Sequence, residues 1–524
     1  MTAFMIQQQA RADDSGSVRT WTFATHHMDG LPADAMGGIE DPGYFERHAF
    51  GRGQVIGAPQ TGGGLASLIN AEHQLDAMLL QGIEGERLQV FAGPTNAASV
   101  NDLRLLLTGT TARVGHENGQ ILLDLRNRQA EVAGLTLQSD RYLGNNVGPE
   151  GVEGTEDDLA GAYKPVTVGF AENVTAPNVN PQRHIHQIST NSEIPIVGTE
   201  PIDIFDKATR FEVDYTEETD WDIFDGETGP SGEIWWYFGP QGWFIRLPGR
   251  AAGTVTVTVQ EGTEANSTTA QLARRILQGK GVPPASILGV EEMDAEFPEP
   301  IGFHAGLSEI KVGAALAEIL QGVFGTWTDD ALGFFTLAWL APPSPVPDHE
   351  FVELLAEGDS EGFRIVDEGD ESGSQPGSPT PLKEAVALFR RNWTIQGDTD
   401  VATGVPNTEH GNFVAREYRQ QVADNSAVLA KYPFAQAFEF KTLFKTADAA
   451  LRAAKRAVAL FGVRRFILEI DLDPSVAAKV LMFQTVRLPI GRFDWDTRTF
   501  RPIGFIQDLD TKDEPARTTL VLWG

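Results

Sequence analysis

Residues 19–23 read Arg19-Thr20-Trp21-Thr22-Phe23, with Trp21 and Phe23 interleaved between threonines. In an extended chain that spacing puts both aromatics on one face and both hydroxyls on the other, the period of a half-buried strand. Less strict runs of the same kind return at residues 87–91, 102–107 and 120–125. One helical stretch interrupts them, at residues 68–80, where Leu68, Ile69, Leu75, Met78 and Leu79 can share a face. Residues 1–137 therefore read as a β-barrel or sandwich with one helix.

Working outward, residues 138–262 open with Gly/Asn/Pro-rich turns between 144 and 154 and continue as strands at 166–170, 233–238, 243–247 and 254–259. Between them, residues 203–227 carry ten Asp and Glu against Lys207 and Arg210. A solvated loop or hairpin is expected there, and no EF-hand spacing supports calcium. Residues 263–347 read as an α+β unit. It has a helix at 269–278 and a clearer one opening at Ser308 as N-cap, where Val312, Ala315, Leu316, Ile319, Leu320 and Val323 form an amphipathic stripe. Gly325 and Asp329 read as turn residues before a strand at 334–340, which a proline cluster (Pro342, Pro343, Pro345, Pro347) ends.

Residues 348–381 form an acidic Gly/Ser/Pro-rich segment, with ten acidic residues up to Glu371 facing only Arg364, and are expected to be an extended, mobile loop. Residues 382–524 are compact again. Thr446 can cap a helix burying Leu451, Ala454, Val458 and Phe461 and stopping at Gly462, with strands to follow at 466–470, 485–488, 502–506 and 518–522. The expected architecture is mainly β with α+β parts, in several domains.

Composition agrees. A chain of 524 residues has room for three or four domains, and 41% apolar with 22% charged residues is ordinary for globular proteins. Its 54 glycines and 30 prolines favour turns and strands over a helical bundle. The formal charge of 41 − 73 = −32 repels phosphate backbones, which argues against sequence-specific nucleic-acid binding. With no cysteine there is no disulfide scaffold, thiolate metal site or thiol nucleophile. The first fourteen residues lack a secretory pattern, and the longest strongly apolar run, ten residues at 332–341, is about half a membrane span. No stable membrane insertion is expected.

A search for chemistry finds no HExxH, no Walker A loop and no GxGxxG. Ser360 stands in a GxSxG match, but inside the acidic segment rather than between a strand and a helix. His184 and His186 would share one face of a strand, as a zinc pair could, without identifiable further ligands; His26 and His27 would face opposite sides. Asp294 and Glu296 could lie on one side of a strand as paired carboxylates for glycoside hydrolysis. Trp235, Trp236, Tyr237 and Trp243 could stack on sugars or fill a hairpin core. No catalytic, cofactor-binding or metal-binding residue is assigned, no cofactor is implied, and the residues favour a structural or binding protein over an enzyme.

From Arg141 to Pro181 the chain resembles a segment of the tail-tip baseplate hub proteins of long-tailed bacteriophages and gene transfer agents. The pattern Arg-Tyr-x-Gly-x-Asn is met by Arg141, Tyr142, Gly144 and Asn146. Gly151, Glu153, Gly154, Thr155, Asp157, Asp158 and Leu159 follow, then Lys164 and Pro165, then Asn173 and Val174. Collinear segments agree in order: Asp41 to Phe45, Gly242 to Leu247, Gly302 and Phe303 with Trp327, Val414 to Arg419, Leu460 to Arg465, and Leu520 to Gly524. The acidic stretches near 201–227 and 348–375 depart from the family.

The resemblance implies two tail-tube-like β-barrels plus attached α/β hub domains, the last region completing a barrel, assembled as a homotrimer at the virion's tail tip after synthesis in the host cytoplasm. It implies contacts with a distal tail or tail-tube ring protein, the tape-measure protein, and tail fibre or central spike proteins, with DNA only as passing cargo. An acidic conduit would let DNA slide without capture. The competing readings are a tail-associated cell-wall glycosidase using Asp294 and Glu296, and a carbohydrate-binding adhesin using the Trp235 to Trp243 aromatics.

Overall fold

In the computed structural model, which describes residues 3–11, 17–51, 54–60, 62–94, 96–146, 150–190, 194, 201–355, 362–366, 380–493, 495–509 and 516–524, strands from both halves of the chain build one 14-stranded sheet. Its path runs Phe363–Val366, Ile467–Leu472, Arg517–Trp523, Thr499–Asp508, Ile39–His48, Gly63–Ile69, Gln120–Asn127, Arg104–Glu117, Arg87–Gly93, Ala3–Arg11, Val18–Ala24 and Met36–Gly37. His349–Glu350 and Val486–Arg487 pair off this path. The seam between the two halves is antiparallel, from Gly504 opposite His48 to Asp508 opposite Tyr44. Alternation along each strand gives each half its own core. Phe4, Ile6, Trp21, Phe23, Phe45 and Leu123 pack in one. Leu468, Ile470, Trp495, Phe505, Leu520 and Leu522 pack in the other.

The middle of the chain forms smaller sheets around a third, larger core. One five-stranded sheet orders Asn178–Asn180, Ile185–Ser189, Gly242–Arg246, Ile234–Gly239 and Tyr215–Glu217; the other orders Thr209–Arg210, Pro201–Asp206, Val255–Gln260, Val166–Thr175 and Gly302–Ala305. The helices Thr269–Gly279 and Val312–Gln321 bury Leu272, Ile276, Leu316 and Ile319 in the same core. Helix Ala447–Phe461 covers the sheet made by Arg419–Asp424, Glu384–Phe389 and Ala437–Lys441. The molecule is thus mainly β with α+β parts. No helix among the described residues is long and apolar enough to cross a membrane.

Several local expectations need correction. The helix expected at 68–80 is one turn, Asp76–Leu79. Leu68 and Ile69 belong to the strand Gly63–Ile69, because Leu68 pairs opposite Ile121 and is fully buried. Asn70 then breaks the strand, its Oδ1 accepting from Leu75 N at 2.8 Å. Ser308 is not an N-cap: the helix starts at Val312 after Lys311. Ser308 lies in a bend, and the residues after it are tied to 135–137, with Leu137 N donating to Ile310 O at 2.8 Å and Thr136 bridged to Lys311. Gly325 and Asp329 are the ends of a strand, Gly325–Asp329, paired antiparallel with Phe335–Trp339. Leu451 and Val458 are only half-buried. The inward stripe of that helix is Ala450, Ala453, Ala454, Ala457, Leu460 and Phe461, and its four alanines let the helix lie close on its sheet. Gly462 is the C-cap itself, at φ −78°, not a left-handed stop.

The acidic stretch 203–227 is more than a solvated loop or single hairpin. It contributes Pro201–Asp206 with Thr209–Arg210, the parallel strand Tyr215–Glu217 and the short helix Trp221–Phe224. Arg246, 3% exposed, explains the order: its Nη1 donates to the carbonyls of Phe224 and Gly226 at 2.6 and 2.9 Å, while Arg183 pairs with Asp225 at 2.9 Å. Of the segment expected to be a mobile loop, residues 356–361 and 367–379 lie outside the described residues. The rest is not all loop. Phe363–Val366 is a strand, antiparallel to Ile467–Leu472, with Arg364 on Glu469.

Candidate functional site

Among the described residues, those considered for chemistry are not brought together. Asp294 and Glu296 sit on the helix Val290–Glu296, not on a strand, and residues two apart on a helix point away from each other. Asp294 accepts from Thr268 Oγ1 and Gln271 Nε2, tying its helix to the start of the preceding one, Thr269–Gly279, and Glu296 pairs with Arg456. His184 is in a turn with φ 56° while His186 is in the strand Ile185–Ser189, so the two imidazoles do not share a strand face. His186 is buried with Nδ1 2.9 Å from Ala176 O, and burial pushes it down to about 4. His26 and His27 lie past the end of Val18–Ala24, with His26 Nε2 3.1 Å from Ala97 O. Ser360 lies outside the described residues. Trp243 is fully buried, Trp236 and Tyr237 are buried, and Trp235, half-buried, donates its Nε1 to Glu233 at 2.9 Å, so three of the four rings fill the interior.

The segment from Arg141 to Pro181 folds as a self-fastened clasp. Asn146 Nδ2 donates to the carbonyls of Gly151 and Val179 at 3.2 and 2.7 Å, and its Oδ1 accepts from Glu153 N at 2.9 Å. Glu153 in turn meets Lys164 at 2.6 Å and accepts from Leu143 N at 3.0 Å. Gly144, Gly151 and Gly154 all take positive φ, which lets the chain reverse around these bonds. Tyr142 is buried and donates to Gln187 Oε1 at 2.5 Å, anchoring the clasp to the hub sheet. These residue types therefore hold a shape.

A cavity of about 430 Å³ opens where three parts of the chain meet. Arg47 and Leu106 of the N-terminal sheet, Asp329 of the strand Gly325–Asp329, and Met482, Phe483 and Phe505 of the C-terminal part line it. Asp329, read from sequence as a turn residue, is the buried hinge of this junction. Its Oδ1 accepts from Asn127 Nδ2 at 3.0 Å, its Oδ2 from Gln129 N at 3.3 Å, and its carbonyl from Arg47 Nη1 at 3.0 Å. Burial outweighs these donors and pushes its carboxyl up to about 6. A carboxyl raised in the fold contributes stability that is complete below its ordinary pKa near 3.8 and is lost as pH rises through 6. Asp329→Asn is expected to remove that dependence. The wild-type minus variant unfolding free energy should fall by about 2 kcal/mol from pH 4 to pH 7, and a flat difference in urea titrations would refute the burial effect.

The long sheet has two open edges among the described residues. At one end Val18–Ala24 is paired on its outer side only at Phe23 and Ala24, by Met36–Gly37. At the other, Phe363–Val366 has Ile467–Leu472 as its one neighbour. Across the face opposite the N-terminal core, Thr22, Gln7, Gln89 and Thr108 form an uncharged polar row. Further along that face Arg113, Arg517 and Arg364 are each matched by a carboxylate, of Asp124, Asp508 and Glu469, while Arg87 and Arg126 have none among the described residues.

Neither models of known protein families nor curated protein sequences match the chain. Solved structures do. A tail protein from Neisseria meningitidis MC58 is 10% identical, with 100% of this chain and 96% of that chain covered at a TM-score of 0.38. The 43 kDa tail protein of prophage MuSo2 from Shewanella oneidensis is 8% identical, covering 99% and 98% at 0.35. A chain of the native gene transfer agent virion is 12% identical, covering 74% and 91% at 0.40. These are similarities, and nothing further rests on them.

Proposed function

We propose that this chain is a structural baseplate hub at the distal end of a phage or phage-like tail, in a ring that joins the tail tube to fibre or spike proteins and surrounds the DNA channel. The observation that carries the reading is the single sheet built from both halves of the chain, with a core in each half and, among the described residues, an open edge at either end. Open edges invite pairing with another strand, and a ring of copies covers them without leaving an end. Three copies of a chain with two such halves would set six around an axis. The face away from the cores suits a conduit, because three of its arginines are matched by carboxylates and an uncharged Thr/Gln row runs across it, so phosphate meets no continuous cationic track. The collinear motifs from Arg141 onward support the same reading, since the clasp they build is a structural part.

A homotrimer with a tail-tube ring on one side, fibre or spike proteins on the other and the tape-measure protein inside is the assembly this reading calls for. Reconstruction of the particle should show three copies at the tail tip. Six copies, or none at the tip, would overturn it.

A further inference from the structure

Against a total of −32, residues 441–501 carry twelve Lys and Arg and six Asp and Glu, a local +6 that leaves −38 on the rest. Part of this charge is absorbed: Arg452 and Arg456 pair with Glu299 and Glu296, and Arg487 with Glu350. Arg464, Arg465 and Arg498 have no carboxylate in ion-pairing range among the described residues. They converge instead on aromatic rings. The guanidinium carbons of Arg464 and Arg498 lie 5.0 and 5.3 Å from the centre of Phe466, and that of Arg465 lies 4.8 Å from Trp523.

Two of these arginines also serve the fold. Arg465 Nε donates to Leu460 O at 3.2 Å, at the end of its helix, and Arg498 Nη2 donates to Arg464 O at 2.9 Å. Carbonyl bonds neutralise no charge. Burial first, and then Arg498 acting on Arg465 and Arg464 acting on Arg498, hold both below the ordinary arginine range. Val463 and Phe493 are exposed beside the cluster, 52% and 58%. A cationic, aromatic surface with an apolar rim fits an acidic segment that carries apolar side chains of its own.

We propose that this patch receives the acidic element at residues 212–227 of a second copy of this chain. That element is held in shape by Arg246, and it exposes Glu212, Asp214, Glu217, Asp220, Asp222 and Glu227 together with Val213 and Ile223. Patch and element are different surfaces, so the contact is head-to-tail and closes a ring when the rotation allows. It thus rests on the hub-ring reading and names the surfaces that meet. Nucleic acid is disfavoured as the occupant, because the −38 on the remainder of the chain repels a polyanion.

Sedimentation of the full-length protein tests this. Arg464→Glu with Arg498→Gln should weaken self-association about tenfold or more at 0.1 M salt, and wild-type association should weaken between 0.1 and 0.5 M. Arg464→Glu alone, which breaks no side-chain bond to a backbone carbonyl, should act in the same direction without altering the circular dichroism spectrum. Asp214→Arg with Glu217→Arg should weaken association alike, and mixing those molecules with the Arg464→Glu variant should restore it in part. Wild-type rings unaffected by the arginine changes would overturn the contact while leaving the ring reading in place. A wild type that stays monomeric alone and with its tail neighbours would overturn both. Variants that assemble normally but lose binding to a short single-stranded DNA would assign the patch to nucleic acid instead.

Discussion

Gly302→Ala should destabilise the protein by about 3 kcal/mol or more, the largest effect expected of any single methyl group here. Gly302 opens the strand Gly302–Ala305 and pairs opposite Gly169, which has φ +70°. A β-carbon at Gly302 would lie 1.8 Å from the carbonyl oxygen of Phe170 and 2.2 Å from its carbon. Backbone atoms have no rotamer to escape into. Nor can that strand drift, because Gly169 exchanges two bonds with Glu261, accepting from its N at 2.8 Å and donating to its Oε2 at 2.9 Å. Glu261 is fully buried and held by Arg275 at 2.6 Å. Relief would mean detaching the strand that carries Phe303 and His304 into the core. Gly306→Ala is the matched control, since its β-carbon would meet nothing nearer than His304 Nε2 at 3.6 Å. Urea midpoints should separate the two variants clearly, and equal midpoints would refute the close approach.

A second large effect is expected on acidification. His186 and His304 are both buried and neutral. The Nδ1 of His186 faces a carbonyl, so it carries the proton. Thr167 donates its hydroxyl to Ile188 O at 2.9 Å and therefore accepts from His304 Nδ1, also at 2.9 Å. Desolvation pushes His186 down to about 4 and His304 to about 3, from 6.5. Groups lowered in the fold contribute stability that is complete above the unfolded pKa and is lost as pH falls, because the unfolded chain binds protons that the native one refuses. Each histidine should cost about 2 kcal/mol between pH 7 and pH 5. Asp329 works the other way over this interval, by about 1 kcal/mol, so the net change is a loss. His304→Gln should flatten the slope by its share in urea titrations at the two pH values. An unchanged slope would show that His304 does not stay neutral in the fold.

Much of the β architecture is legible in local chemistry. Trp21 and Phe23 alternate with threonines, and they do line a core while Thr20 and Thr22 face away, because period-two patterning and strand geometry are one constraint. The stripe from Val312 to Leu320 likewise marks a helix face in advance. Local reading fails where distant partners decide. Leu68 has helix-compatible neighbours, yet pairing with Ile121 makes it strand. Ser308 has a capping side chain, yet it lies in a bend, and the pairing of 310–312 with 135–137 moves the helix start to Val312.

The sites follow the same division. That Asp294 and Glu296 are carboxylates two residues apart is a sequence fact; that they lie on a helix and serve Thr268, Gln271 and Arg456 depends on helix packing. Asp329 gave no sign of burial, because its donors come from Asn127, Gln129 and Arg47, some two to three hundred residues away. Arg246 did leave one: an arginine between Ile245 and Leu247 in an apolar strand asks for buried acceptors, and they arrive from Phe224 and Gly226. By itself the sequence determined strand period, acidity, the lack of cysteine and the clasp motif, all of which are local or additive. Tertiary structure alone decided that the two halves of the chain share one sheet and that three arginines with no carboxylate partner among the described residues gather in an acidic molecule. Both depend on which surfaces meet, and no local period encodes that.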